Sequence, residues 1–122
     1  MIANENAYLG DVASSEKIDS EKPISCGIYR LEKGTPLVYT YTYHEMKIIL
    51  EGEFDISDET GQSVHVSNCN RRLDCVDNVW TNTSLQAVAG DVFYFPKGSV
   101  ITFKTNSYGL AFYTGQRKEG AA

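Results

Sequence analysis

Histidine, cysteine and basic side chains are all sparse in this chain, and each shortage narrows what it can do. The three cysteines, Cys26, Cys69 and Cys75, are odd in number. A secreted disulfide scaffold is normally richer in cysteine and even in count, so a reducing, cytoplasmic setting is expected. Eleven Lys and Arg against sixteen Asp and Glu give a formal net charge of -5. That balance disfavours polyanions, and no basic arm or zinc-finger spacing is present, so nucleic acid is not an expected partner. No apolar run approaches the roughly 18 residues that span a bilayer, so no membrane partner is expected either. The N-terminal Met1-Ile-Ala-Asn-Glu-Asn-Ala has no basic region followed by an apolar core, so no secretory leader is expected. Asn82-Thr83-Ser84 is then a chance glycosylation triplet. No amphipathic helix of ordinary length is evident.

What remains reads as strands. The 122 residues suffice for one domain. Residues 1–22 are polar and read as a loose N-terminal arm, with Leu9 and Val12 available to dock against the body. Residues 23–115 carry the strand pattern, and 116–122 read as a soft tail. Ile24, Cys26, Ile28 and Leu31 mark a first short strand, stopped by the turn at Gly34-Thr35-Pro36. Leu37 to Leu50 is a long aromatic and β-branched run with no helical period. Phe54 and Ile56 alternate with polar neighbours, Asp58-Glu59-Thr60-Gly61 forms a hairpin turn, and Gln62 to Val66 returns. After Gly90-Asp91, Val92 to Phe95 form a short strand that Pro96 stops. Val100 to Thr105 and Tyr108 to Tyr113 read as a last hairpin joined through Asn106-Ser107. Many short strands with glycine-containing turns argue for a sandwich or barrel.

Residues 66–86 break this rhythm and read as an insertion. A long connection without pattern is unusual in so small a domain. Two explanations stand. It is a lid or binding loop anchored by Leu73, Val76, Val79 and Trp80, or it is translated intron sequence, since its Val-Ser and Leu-Gln ends can be encoded by GTAAG and TTGCAG. Cys69 and Cys75 lie inside it with no pair of extra ligands to complete a zinc site.

Two motifs carry a resemblance. The first is Tyr39-Thr-Tyr-Thr-Tyr-His-Glu45-Met-Lys-Ile-Ile-Leu-Glu-Gly52, and the second is Gly90-Asp-Val-Phe-Tyr-Phe-Pro96-Lys-Gly98. Over roughly residues 36–65 and 87–115 the chain resembles the cupin superfamily, and more narrowly its single-domain members related to ethanolamine-utilisation proteins. The resemblance implies an all-β domain, a double-stranded β-helix or jelly-roll barrel, with a ligand-binding lumen. It places Glu45 and Gly52 at the glutamate and glycine of the first family motif, and Gly90, Pro96 and Gly98 on the second. It also places Tyr39, Tyr41 and Ile101 where the family carries metal-binding histidines, and Thr105 at the later asparagine position. Three of the four usual ligands are therefore absent. No resident metal or other cofactor is expected; if a divalent metal were held, Glu45, with His44, would be the ligand. The family commonly dimerises, and the apolar face Met46-Ile48-Leu50 makes a homodimer the expected assembly.

In an extended chain, alternate residues share a face. Tyr39, Tyr41, Tyr43, Glu45, Lys47 and Ile49 then face one way and His44 the other. With Glu45 inward, the lumen receives three phenols, a carboxylate and an ammonium. Burial alone raises a carboxyl pKa, and a lysine partner lowers it. An unpaired Glu45 can act as general acid or base, and a paired one anchors a polar substrate. Phenols can orient a carbonyl or stabilise developing charge, and their rings give stacking surface. Glu45, Tyr41, Tyr39 and Lys47 are the catalytic candidates. Tyr43, Tyr94, Ile101, Phe103, Tyr108 and Tyr113 are the substrate-binding candidates, while His65 reads as a solvent-side strand residue. Three functions compete: an enzyme performing metal-independent, non-redox acid–base chemistry on a small organic molecule, as a lyase, isomerase or cyclase; a non-catalytic small-molecule-binding or regulatory module; and a metal-dependent oxygenase or lyase.

Overall fold

Alternation of small or aromatic residues with polar or aliphatic ones builds the centre of the molecule. The computed structural model of the chain describes residues 2–67 and 84–122, without the side chains of 2–4 and 84–86. The strands are β1 (Ile2–Asn4), β2 (Ala7–Ser14), β3 (Ser25–Glu32), β4 (Leu37–Thr40), β5 (Glu45–Gly52), β6 (Phe54–Asp58), β7 (Ser63–Ser67), β8 (Ser84–Val88), β9 (Val92–Phe95), β10 (Val100–Lys104) and β11 (Tyr108–Gly115). They form a six-stranded sheet, β1-β2-β3-β11-β5-β9, and a five-stranded sheet, β4-β10-β6-β7-β8. Among the described residues there is no helix, and none that could cross a membrane.

Each central strand buries every second residue. In β3 these are Ser25, Gly27, Tyr29 and Leu31; in β11, Gly109, Ala111, Tyr113 and Gly115; in β5, Glu45, Lys47 and Ile49. The sheets meet through aromatic rings. Tyr29 stacks on Phe54 at 6.0 Å and meets Phe103 edge-on at 5.5 Å. Two glycines permit the closeness. Gly52 has φ 81°, which disfavours any side chain. A Cβ on Gly109 would lie 2.3 Å from the Phe54 ring.

Several expectations are corrected here. The aliphatic residues of the first segment do not share a face: Ile24 and Ile28 are exposed, whereas Leu31 faces inward with Ser25, Gly27 and Tyr29. Ser25 and Gly27 carry no apolar signal that would mark them as inward. Strands β10 and β11 are not a hairpin. β10 pairs with β4 and β6, and β11 with β3 and β5. The short link crosses between sheets, held by Glu53, whose Oε1 accepts from the Asn106 N–H at 3.2 Å and the Ser107 hydroxyl at 3.3 Å.

The N-terminal segment is not a loose arm along its length, because β2 pairs with β3 from Ala7↔Leu31 to Ser14↔Ser25. Nor is the tail free. Arg117 Nη1 and Nη2 donate to the two carboxylate oxygens of Asp11 at 2.9 and 2.8 Å. The Tyr113 hydroxyl and the Gly120 N–H donate to the same carboxylate at 2.6 and 2.8 Å. These donors hold the Asp11 carboxyl well below the usual carboxylate range, with Arg117 the largest cause.

The ends of the expected insertion belong to strands, since β7 runs to Ser67 and β8 begins at Ser84. They pair in parallel, Val66 with Ala87. A parallel pair needs a crossover of roughly a dozen residues or more. Residues 68–83, with Cys69, Leu73, Cys75, Val76, Val79 and Trp80, lie outside the described residues.

Removing one partner of a buried ion pair costs about 3–5 kcal/mol, because the other charge is left alone. Arg117→Ala is therefore expected to lower unfolding free energy by about 3 kcal/mol in urea titrations followed by circular dichroism. A loss below about 1 kcal/mol would show that the clasp contributes only as an exposed pair does.

Candidate functional site

The tyrosine-rich segment keeps its alternation through a break in the sheet. β4 ends at Thr40 and β5 begins at Glu45, yet Tyr41, Tyr43, Glu45 and Lys47 are all buried. The turn after Pro96 holds the break in place: Tyr41 N–H donates to Ser99 O at 2.9 Å, and Gly98 N–H donates to Tyr41 O at 2.7 Å. The second motif thus positions the first.

These side chains wall a cavity of about 330 Å³. Tyr39, Tyr41, Tyr43, Glu45, Lys47 and Phe103 line it as expected, and Tyr29, Leu9 and Leu37 line it without having been anticipated. Glu45 and Lys47 have side-chain exposures of 3% and 4%, and Lys47 Nζ lies 3.4 Å from Glu45 Oε2. Tyr41 donates its hydroxyl to that same Oε2. Among the described residues Oε1 has no hydrogen-bond partner. The Tyr39 and Tyr43 hydroxyls bond each other at 2.9 Å. Lys47 Nζ sits 4.3 Å from the Tyr29 ring centroid and 4.4 Å from that of Phe103. Tyr41 stacks on Phe95 at 5.3 Å.

Burial dominates the titration of these groups. It lowers the Lys47 pKa, against the opposing pull of the Glu45 charge and hydrogen bond. It raises the Tyr41 phenol far above its ordinary value, reinforced by the Glu45 charge and hydrogen bond. Tyr29 and Tyr43 are raised likewise, by burial first; the Glu45 charge adds to both, and the Tyr39 hydrogen bond to Tyr43.

Other candidates lie elsewhere. Tyr94 is exposed and shares its hydroxyl with His44 Nδ1 at 3.0 Å. Ile101 is buried but lines a different cavity of about 270 Å³, beside Phe95 and Ile56. Tyr108 points outward, its hydroxyl on Glu51 and its ring under Arg30 at 5.3 Å. Tyr113 is buried, but its hydroxyl belongs to the Asp11 clasp. Tyr108 and Tyr113 lie on opposite faces of one strand because their spacing is odd. His65 is partly exposed and bonds Asp55 at 2.6 Å.

The donor set does not fit a divalent metal. Glu45 Oε2 already holds an ammonium and a phenol, and a cation there would meet Lys47 at close range. His44 cannot join Glu45 as a ligand: it is exposed on the other face, and its Nδ1 also accepts from the Lys97 N–H at 3.1 Å. Among the described residues no group of three His, Cys, Asp or Glu gathers as a metal site. The positions at which the cupin resemblance places metal-binding histidines carry Tyr39, Tyr41 and Ile101, which offer two phenols and an alkyl chain.

No family model matches the chain, and no curated protein matches it. Solved structures do. A putative ethanolamine utilization protein Q from Salmonella typhimurium LT2 superposes with TM-score 0.63 at 23% identity, over 93% of this chain and 71% of that one. A cupin superfamily protein from Desulfitobacterium hafniense DCB-2 gives 0.59 at 12% identity, over 95% and 82%. The DMSP lyase DddQ from Ruegeria pomeroyi DSS-3 gives 0.56 at 14% identity, over 81% of this chain and 41% of that one. The chain has the cupin fold: all-β, two sheets closed on a shared core, as the two motifs led us to expect.

The titration directions have opposite consequences. Between the lowered folded pKa of Lys47 and the ordinary lysine value near ~10.4, the unfolded chain binds the extra proton, so stability rises with pH. Above roughly 10 the unfolded chain loses phenolic protons that the folded chain keeps, so stability falls. Urea midpoints should rise towards pH ~10 and then drop. The double variant Lys47→Met with Glu45→Gln should flatten the rise and keep the drop. An unchanged rise would mean that Lys47 stays charged in the folded protein.

Proposed function

We propose that this chain is an enzyme that acts on a small organic molecule by metal-independent, non-redox acid–base chemistry in the Glu45 cavity, as lyases, isomerases and cyclases do. One observation carries the reading: Glu45 is fixed through Oε2 by Tyr41 and Lys47 while Oε1 has no partner among the described residues. A carboxylate held at one oxygen and open at the other is oriented to take a proton from a molecule in the cavity. Tyr41 and Lys47 then respond to the change in its charge. The cavity volume lies within the range of small-molecule sites. A lyase, DddQ, is among the proteins that share the fold, so the fold admits this reaction class without assigning it.

A binding module is the second reading, favoured by the pairing at Oε2, since a paired carboxylate is a good anchor and a weaker base. Proton transfer to a positioned side chain contributes roughly 10²–10⁴-fold. The test is deuterium incorporation from D2O into a panel of simple ketones, lactones and hydroxy acids, followed by NMR before and after EDTA dialysis. We expect protein-dependent exchange that survives EDTA and drops by about 10²-fold or more in Glu45→Gln, with the circular dichroism spectrum unchanged. Binding without exchange would favour the module. Exchange that EDTA abolishes and one divalent metal restores would overturn metal independence.

We also propose a homodimer through the outer face of the six-stranded sheet. Register places exposed Phe112 beside Ile28 and Ile48, Ile48 beside exposed Val92, and exposed Met46 beside Tyr94, in one continuous apolar surface. Sedimentation should give a dimer for the parent chain and a monomer for Met46→Glu; a monomeric parent would overturn this.

A further inference from the structure

Tyr29 is a phenol where the packing asks only for a phenyl ring. Its side chain is 1% exposed, and its hydroxyl has no hydrogen-bond partner among the described residues. Two other buried polar atoms share that state, Asn6 Oδ1 and Arg117 Nε. Both belong to groups whose remaining atoms are bonded: Asn6 Nδ2 donates to Glu32 O and Thr35 O, and Arg117 to Asp11. The hydroxyl is the sole polar atom of the Tyr29 side chain, so that side chain carries its whole polar content unpaired. Leaving such a group unmet costs about 1–3 kcal/mol, while phenylalanine at this site would cost nothing of the kind.

The ring cannot turn to find a partner. β3 is paired on both sides, to β2 and β11, with Tyr29 opposite Leu9 and Ala111. Phe54 stacks on the ring, Phe103 meets it edge-on, and Lys47 Nζ lies over its face. The residue lines the same cavity as Glu45. Within that cavity each of the other phenols has a partner: Tyr39 and Tyr43 share one hydrogen bond, and Tyr41 donates to Glu45. Two polar atoms of the cavity side chains have no hydrogen-bond partner among the described residues, Glu45 Oε1 and the buried Tyr29 hydroxyl. Burial and the Glu45 charge both keep that hydroxyl protonated, so its O–H is available to donate.

We infer that the Tyr29 hydroxyl receives the oxygen of the bound molecule, and that the cavity therefore selects an uncharged carbonyl compound. A carboxylate ligand would share the space with Glu45, whose charge Lys47 already faces. An uncharged carbonyl accepts the Tyr29 hydrogen bond and leaves its neighbouring C–H to Glu45. The assignment rests on the proton-transfer reading of this cavity and gives it a substrate class. The step balances: Glu45 Oε1 takes the proton, the C–H electron pair forms the carbon–carbon double bond, and the carbonyl π pair moves onto oxygen. The Tyr29 O–H stabilises that enolate oxygen, and return of the proton to carbon completes the turnover.

The test uses Tyr29→Phe and two probes of matched shape, cyclohexanone and methylenecyclohexane, with binding followed by ligand-observed NMR. The parent should bind cyclohexanone more tightly. Tyr29→Phe should weaken cyclohexanone by about fivefold to tenfold, leave methylenecyclohexane unchanged, and melt no lower than the parent. Equal affinity for both probes in both proteins would overturn the inference and leave the cavity reading standing. A Tyr29→Phe protein that melts several degrees lower, or fails to fold, would show a hydroxyl paired within the protein and would also overturn it. If neither probe binds the parent, the carbonyl assignment falls together with the cavity. Carbonyl-selective binding without deuterium exchange would uphold this inference and sink proton transfer instead.

Discussion

A lysine and a glutamate two residues apart in one strand, both forced inward by the pleat, set the terms for the rest of this molecule. Desolvating either charge alone costs several kcal/mol. The surroundings of Glu45 and Lys47 offset that cost in different ways. The carboxylate receives the ammonium and the Tyr41 hydroxyl on one oxygen. The ammonium receives the faces of Tyr29 and Phe103, whose negative quadrupoles suit a cation in a poorly solvated site. Tyr41 reaches Glu45 because its backbone is bonded to Gly98 and Ser99. A turn about fifty positions away thereby determines how a carboxylate is presented to the cavity.

The same pair separates what this fold shares from what this chain does with it. Proteins with TM-scores near 0.6 have the same arrangement of sheets at 23% identity or less. One fold hosts unrelated chemistries, so the shared sheets do not transmit a reaction. What sets this chain apart lies in its side chains. The lumen carries two phenols and an alkyl chain where the cupin resemblance places histidines, and an ammonium 3.4 Å from Glu45.

The two ends of the chain matter to this arrangement. Strand β2 supplies Leu9 to the cavity wall and Asp11 to the clasp with Arg117. Arg117 lies 5.5 Å from the Tyr43 ring, so the clasp also touches the aromatic wall. Polar composition at both ends concealed this role. Asp11 and Arg117 are 106 positions apart, and nothing local marks either as buried.

Much of the fold was legible because its signals are local. Alternation from Tyr39 to Ile49 groups the residues that share a face, the resemblance turns that face inward at Glu45, and Glu45 and Lys47 stand on it as neighbours able to pair. The glycine and proline spacing of the second motif pointed to the barrel. Features set by distant contacts leave no such local signal. The inward face of β3 includes Ser25 and Gly27, the latter leaving room for the Tyr113 hydroxyl on the neighbouring strand, and no apolar alternation marks Tyr29 beside them. Tyr94, Tyr108 and Tyr113 share a residue type but not an environment, since strand parity and sheet choice place each one. The link between β10 and β11 resembles a hairpin in sequence, yet it changes sheets because each strand finds its partners elsewhere. The sequence by itself determined which residues alternate, because a strand's period of two is a property of the local backbone. Only tertiary structure decided which hydroxyls find partners and which oxygen of Glu45 stays open, because those depend on side chains brought together from distant strands.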